Sequence, residues 1–382
     1  MDKKELTNQK RTEMIVTPWE VSGIIDYEKL VNEFGTSYLT EKELKGIKKY
    51  SKVDLHLMLR RGLFFSHRDF DWILKLLEKG EKFSLYTGRG PSGHTHLGHL
   101  VPWIFTKWLQ DVFDVELYFQ MTDDEKFLFN QNLSFKETQD FAYENAKDVM
   151  AVGFDPKKTH FIFDSQLNST MYKLAVEIAK KVTFSTAKAV FGFTNDSNIG
   201  MIFYPSIQAM HCFLPSVIKK KNIPILIPAA IDQDPYWRIS RDIAPKLGFY
   251  KPAALHCKFF PGLGVGGKMS ASEPETCIFT TDTPNIAKKK IMKAFTGGKA
   301  TVEEQRALGG EPDKCNVYHY EYYLFEPDDE KIKQMKIDCL SGKLLCGQCK
   351  TKLAEKVKKF IIEHQEKRAK FSNEIIDSLI IK

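Results

Sequence analysis

Long apolar runs are missing from this chain of 382 residues. The longest, Ile223–Ile231, falls far short of the ~20 residues needed to cross a bilayer. The start, Met1-Asp-Lys-Lys-Glu-Leu6, is charged, carries acidic residues early and has no apolar signal core behind it, which argues against a secretory or organelle-transit segment. A cytoplasmic location and no membrane partner are expected. Cysteine is scarce: the seven residues lie between Cys212 and Cys349, an odd number at irregular spacing, so reduced thiols or small buried hydrophobes fit better than a disulfide framework. Internal repeats, linker-like tracts and low-complexity segments are absent as well. Nor does one sign of charge dominate. The balance of 56 basic against 49 acidic side chains gives +7, a mild excess that suits an occasional nucleic-acid contact rather than a basic coat.

What is present is an ordinary globular composition, 43% hydrophobic, 12% aromatic and 27% charged, in a chain long enough for a large core. At ~150 residues per domain the length predicts two or three domains. Residues 1–80 are polar and helical in pattern, with helices expected over Tyr27–Phe34 and Glu41–Tyr50. The rhythm then changes. Phe83–Thr87, Val115–Thr122, His160–Phe163 and Pro224–Ile231 read as strands separated by helical stretches, among them Asn132–Met150 with Ser134 as N-cap and Glu137 three residues on. Strands alternating with helices predict a Rossmann-like, doubly wound parallel α/β sheet over residues 81–282. Beyond about Thr283 the strand signals vanish, and Asn285–Phe295, Val317–Phe325, Asp329–Leu340 and Leu344–Ala369 read as helices of an α-helical C-terminal domain, 283–382. Its last helix is expected to return to the catalytic domain, against which the N-terminal 80 residues should pack. Residues 328–382 hold 13 basic and 9 acidic side chains.

Two motifs carry chemistry. Gly88-Arg-Gly-Pro-Ser-Gly93 is a literal G-x-G-x-x-G, but the next acidic cluster, Asp123-Asp124-Glu125, comes too late for a ribose-binding acid and Pro91 sits where amides should meet a pyrophosphate, so a dinucleotide site is not expected. Immediately beyond, His96-Leu-Gly-His99 places two imidazoles and a side-chain-free glycine, Gly98, at a helix start, where backbone amides favour anions. Far downstream, Lys268-Met-Ser-Ala-Ser272 follows the glycine-rich Gly262–Gly267. A lysine beside two hydroxyls on a mobile loop suits the charge that grows on leaving pyrophosphate.

Together, H-x-G-H after the first strand of the alternating region and K-M-S-x-S after the last resemble the class I aminoacyl-tRNA synthetase signatures. Tyr86-Thr-Gly-Arg-Gly-Pro-Ser92, Phe119-Gln-Met-Thr-Asp-Asp-Glu-Lys126, Ile207-Gln208 and Ala230-Ile-Asp-Gln-Asp-Pro-Tyr236, with Thr17-Pro-Trp-Glu20 and Arg60–His67, look like the tryptophanyl-tRNA synthetases of the eukaryotic and archaeal type. The resemblance runs from about residue 17 to the C-terminus. It implies ATP-dependent activation of tryptophan, with Mg²⁺ accompanying ATP, followed by transfer to tRNA(Trp), and a homodimer. By the same resemblance Tyr86 and Gln120 read the indole N–H, and Glu125, Gln208 and Gln233 hold the amino group. Arg89 and Lys126 lie near the α-phosphate and carboxylate, and Asp232 takes the ribose hydroxyls. Gly88, Gly98, Ala230, Ile231 and Met269 line the ATP site, and His96, His99, Lys268, Ser270 and Ser272 hold the phosphates. The helical C-terminal region reads the anticodon. One departure stands out: Ala271 occupies the place of a second lysine found in many class I enzymes, so Lys126 or Mg²⁺ must balance that charge. A tyrosine-specific enzyme would want an acid in place of Gln120, to pair with a tyrosine, and a catalytically silent RNA-binding relative would have no reason to keep the histidines, Glu125 and Lys268.

Two other clusters are expected to carry no chemistry. Cys346-Gly-Gln-Cys349, with Cys339 upstream and His364 downstream, matches no standard zinc spacing in a segment that reads as helix, so no metal site is expected. Tyr318, Tyr322 and Phe325 fall at helical spacing, which favours core packing over base stacking.

Overall fold

The computed structural model describes residues 15–16, 21–22 and 25–382, apart from Gly267. Thr17–Glu20 lies outside the described residues. Two short strands, β1 (Ile15–Val16) and β2 (Val21–Ser22), pair antiparallel. The main sheet has seven strands: β3 (Ser37–Tyr38), β4 (Phe64–Arg68), β5 (Ser84–Arg89), β6 (Leu117–Met121), β7 (Thr159–Phe163), β8 (Ile225–Ala230) and β9 (Ala253–Cys257), in the order β3-β4-β9-β8-β5-β6-β7. β5–β9 run parallel, as the alternating pattern predicts. β6 and β8 are near-continuous apolar runs because helices cover both faces of the sheet.

The sheet is broader than the sequence suggested. β4 pairs antiparallel with β9, and β3 with β4, so residues read as wholly helical contribute two strands. Phe64-Phe-Ser-His-Arg68 was obscured by its polar end, which reaches the cavity side of the sheet: Arg68 clamps Asp234 with Nε and Nη2 at 2.9 and 2.8 Å. β9 went unread because Ala253-Ala-Leu-His-Cys257 lacks the β-branched residues that mark strands in isolation. Its partners β8 and β4 supply what local propensity does not.

The helices follow their local signals closely. Ser134 and Glu137 form a reciprocal capping box on the Phe135–Val152 helix, and Asp26 caps Tyr27–Phe34. The stretch Val317–Phe325 divides into an α-helix, Asn316–Tyr320, and one π-helical turn, Glu321–Phe325. Of the three rings expected to pack in the core, Tyr318 is buried, while Tyr322 and Phe325 are partly buried against it. The Cys346–Arg368 helix lies along the Pro284–Lys293 and Phe135–Val152 helices. Its His364 reaches Asp148 at 3.0 Å. The final helix, Asn373–Leu379, returns to the sheet: Tyr143 donates to Asp377 at 2.6 Å, and the Ile381 amide bonds the Phe161 carbonyl at 2.9 Å, covering the free edge of β7.

Candidate active site

The chain turns from β5 to β6 and β7 on one side, then returns to β8 and β9 on the other. Ligands bind at such a switch point, at the carboxyl ends of the strands. There a cavity of about 530 Å³ gathers every residue singled out above for tryptophan, ATP or catalysis except Ile231. Ile231 is buried on the far side, in a small cluster with Leu30, Val31 and Phe65, because the backbone turns into a short 3₁₀ segment, Ile231–Gln233, directly after β8.

The cavity floor is a buried polar chain. Tyr86 of β5 donates its hydroxyl to Gln120 Oε1 of β6 at 2.5 Å and accepts from Gln208 Nε2 at 3.1 Å. Gln120 Nε2 in turn donates to Asp164 Oδ2 at 2.6 Å, and Tyr204 donates to Gln208 Oε1 at 2.5 Å. Asp164 thus fixes the Gln120 amide with its oxygen toward Tyr86. Burial, followed by the neighbouring Asp123 carboxylate, holds the Asp164 carboxyl well above its ordinary range. His211 beneath it is pushed down to about 3 by burial. Their polar atoms lie 2.8 Å apart, although the ring nitrogen is not aligned for a hydrogen bond in this geometry. A protonated carboxyl against a neutral imidazole is the arrangement these directions support. Neither Asp164, His211 nor Tyr204 was legible in the sequence. Each lies on a different element, in an ordinary helical or strand-end setting, with no motif around it.

Truncating Asp164 to alanine leaves the Gln120 amide free to rotate. We expect the KM for the amino acid to rise about tenfold, the loss of one buried hydrogen bond, with kcat nearly unchanged in steady-state adenylation assays. An unchanged KM would show that Gln120 needs no such anchor.

Above the floor, Glu125 is held by the Thr122 hydroxyl at 2.7 Å, the Tyr236 hydroxyl at 3.2 Å and Lys126 Nζ at 3.1 Å. Lys126 lies directly across Gly90: a Cβ there would stand 2.0 Å from its Cε. Arg89 donates to Asn145 at 3.0 Å.

At the rim, the His96 and His99 rings stack with centroids 3.5 Å apart. The His96 backbone N–H donates to His99 Nδ1 at 3.2 Å, which leaves Nε2 of His99 as the ring's donor. Burial, reinforced by Arg89, pushes His96 down to about 3 and His99 well below its ordinary value. Both are therefore neutral and can act as hydrogen-bond donors rather than as charges. The two signature motifs meet here. The amides of Leu97 and Thr280 bond the carbonyls of Ile278 and Thr95 at 3.0 and 2.9 Å, and the Gly98 amide lies 3.3 Å from Met269 Sδ. Met269 thus covers the side-chain-free surface of Gly98, both residues having been expected to line the ATP site. The loop between Pro261 and Lys268 is pinned at its base by their bridge, and Val265 at its tip is 81% exposed. Lys268 Nζ stands 3.6 Å from Asp232 Oδ2, while Asp232 Oδ1 is buried without a partner. Ser270 and Ser272 share a hydrogen bond of 2.9 Å.

Behind the rim, Asp234 is shielded from solvent and receives the fork of Arg68, with His256 at 3.3 Å. Burial alone would raise its pKa; the His256 ring beside it and the Arg68 fork overcome this and hold it well below the usual carboxylate range. This pair anchors the turn that presents Asp232 and Gln233. Arg68→Lys keeps the charge but loses the fork, and is expected to cost about 2 kcal/mol of stability in denaturant titration; no change would remove the clamp from the argument.

This geometry, a doubly wound sheet with H-x-G-H and K-M-S-x-S facing one another across its switch point, defines a class of nucleotide-dependent ligases. A sequence model described as tRNA synthetases class I (W and Y) matches residues 78–361. The chain is 57% identical over 365 residues to the tryptophan–tRNA ligase of Thermococcus sibiricus, covering 95% of this chain and 93% of that one. It is 56% identical over 360 residues to that of Pyrococcus furiosus, covering 94% and 92%. Among solved structures, the Plasmodium falciparum tryptophanyl-tRNA synthetase superposes with a TM-score of 0.87 at 42% identity, covering 93% of this chain and 97% of that one. The enzyme of Aeropyrum pernix superposes at 0.85 and 33%, covering 93% and 96%. The chain belongs to the class I tRNA synthetases of the tryptophan and tyrosine family.

Proposed function

We propose that the chain is a tryptophan–tRNA ligase: it activates L-tryptophan with ATP to tryptophanyl-adenylate, releasing pyrophosphate, and transfers the aminoacyl group to tRNA(Trp). The observation that carries the choice of amino acid is the floor of the cavity. A phenol and a primary amide, aligned by Asp164 and Gln208, present oxygen lone pairs to a ligand with one N–H donor and a broad apolar face. Tyrosine would bring a hydroxyl needing both a donor and an acceptor, and the residue opposite Tyr86 is an amide rather than an acid.

In this reading Glu125, Gln208 and Gln233 receive the ammonium group, and the tryptophan carboxylate attacks the α-phosphate in line. No protein nucleophile is needed, so catalysis consists of positioning and charge stabilisation. Arg89 and Lys126 hold the reacting anions. Asp232, whose free Oδ1 wants a donor, takes the ribose hydroxyls. His96 and His99 donate to the phosphates, and Lys268 with Ser270 and Ser272 closes over the pyrophosphate. Mg²⁺ would arrive on the triphosphate, since among the described residues no group of His, Cys, Asp or Glu is arranged to hold an ion. The helical C-terminal region reads the anticodon, whose single-stranded bases offer free edges. The enzyme acts as a homodimer in the cytoplasm; no helix among the described residues is long and apolar enough to cross a membrane.

The test is ATP–pyrophosphate exchange with each amino acid supplied singly and without tRNA. Exchange with tryptophan alone is expected. Exchange with tyrosine would keep the mechanism and overturn the pocket; none with any amino acid would overturn tRNA-independent activation.

A further inference from the structure

Asn145 lies within the Phe135–Val152 helix, with no motif around it, and is fully buried. Both ends of its amide are engaged. Oδ1 accepts from Arg89 Nε at 3.0 Å, and Nδ2 donates to the Gly93 carbonyl at 3.1 Å. Turning the amide over would set its NH₂ against the guanidinium, so the two partners fix its orientation. One contact holds Arg89 at the end of β5; the other holds Gly93, three residues before His96.

Arg89 depends on this support. Its Nε bond to Asn145 is the one side-chain hydrogen bond it makes among the described residues. The rest of the guanidinium is left for an anion in the cavity that Arg89 lines. A bond at Nε sets the plane of the fork, and with it the direction in which the fork can meet an anion. Burial pulls Arg89 down to about 10, while the Asp148 and then the Glu125 carboxylate act in the opposite sense and favour its charged form.

Asp148 stands about one turn beyond Asn145 on the same helix, and the C-terminal region holds it there. His364 of the Cys346–Arg368 helix places Nε2 3.0 Å from Asp148 Oδ1, both side chains being shielded from solvent. Arg368, one turn further on, lies 3.1 Å from the same oxygen and also reaches Glu144, the residue before Asn145. The two helices are thus tied at the segment that carries Asn145.

We propose that Asn145 is a positioning residue for Arg89 in the activation step, and that His364, by holding Asp148, makes the placement of Arg89 depend on the docking of the Cys346–Arg368 helix. Asn145 does not line the cavity, so it acts through Arg89 and not on a reactant. The C-terminal helical region then forms part of the support of the activation site. This role for Asn145 rests on the reading in which Arg89 holds the reacting anions.

The experiment is a double-mutant cycle on the full chain, read by pyrophosphate exchange with tryptophan and ATP: Arg89→Ala, Asn145→Ala and the two together, with the Tm of each. Asn145→Ala is expected to lower kcat about 10²-fold, the scale set by displacing a catalytic group by about an ångström, with the KM values for tryptophan and ATP little changed. Asn145→Asp keeps an acceptor for Nε and should recover most of that loss. In the Arg89→Ala background, Asn145→Ala should cost nothing further, because the group it positions is gone; independent losses would multiply. His364→Ala should lower kcat in the same way and His364→Gln restore it, through an amide able to donate to Asp148. Neither should matter once residue 89 is alanine. An unchanged kcat in Asn145→Ala, losses that multiply with that of Arg89→Ala, or losses that follow Tm with no recovery in Asn145→Asp would overturn the positioning roles and leave Arg89 its own. Exchange in Arg89→Ala as fast as in the unsubstituted chain would instead remove the role read for Arg89, and with it those of Asn145 and His364.

Discussion

Lys268→Ala is expected to slow adenylate formation by about 10²–10³-fold, the range found when a preorganised stabiliser of transition-state charge is removed. With Ala271 in place of a second lysine, Lys268 is the one cation that Lys268–Ser272 contributes. It stands 3.6 Å from Asp232 and over the Phe259 ring at 5.5 Å, both weaker partners than a triphosphate. In the proposed reading, ATP draws Lys268 from Asp232 to the phosphates while Asp232 turns to the ribose. The same reading has the Met269 side chain leave Gly98, since its thioether covers that surface of the ATP site. Much of the lysine's interaction energy is therefore realised as pyrophosphate departs, and the loss should appear in kcat for pyrophosphate exchange rather than in the KM for tryptophan. His99→Ala should show the same pattern. Its ring is neutral and donates through Nε2, so His99→Asn should restore part of the rate where a role based on charge would show no rescue. Unchanged exchange in both Lys268→Ala and His99→Ala would remove these residues from the mechanism.

Glu125→Gln should raise the KM for tryptophan by about 10²-fold, because truncating one member of a desolvated charge pair costs roughly 2–5 kcal/mol. The carboxylate is 5% exposed, and Thr122, Tyr236 and Lys126 hold it from three sides. Glutamine matches its shape but brings no charge to the ammonium ion, and one of its two polar atoms becomes a donor facing the donors already present. The KM for ATP should stay within about twofold, since the proposed reading gives Glu125 to the amino acid and not to ATP; the same lost energy spread over both substrates would mean that the carboxylate organises the whole cavity instead. The comparison is made by varying each substrate in turn in the exchange assay.

The readable part of this protein is the part whose physics is local. Strands β5–β8 announce themselves as apolar runs, the helices by their caps, and the phosphate-facing residues by two compact motifs. Those motifs must be compact because backbone amides, glycine and cation act within a few residues of one another. Gln120 and Glu125 follow from the same logic, lying at and just past the end of one strand. Asp164, His211 and Tyr204 could not be read in this way. Their neighbours in sequence are unremarkable, and the roles the geometry gives them depend on side chains far along the chain.

The amino-acid sequence by itself determined the class of chemistry, the five-strand parallel core to within one strand, and seventeen of the residues that line the cavity. Tertiary structure alone decided the antiparallel edge of β3 and β4, where strand identity comes from pairing with β9 rather than from composition. It turned Ile231 away from the cavity and laid Met269 over Gly98. It also decided which cysteines stand together. Proximity in sequence groups Cys339, Cys346, Cys349 and His364, but the packing of separate helices brings Cys315 beside the three cysteines and carries His364 to Asp148. Helical periodicity and propensity act over a few residues; register between strands and the crossing of helices are set by the whole core, and no short window of sequence contains them.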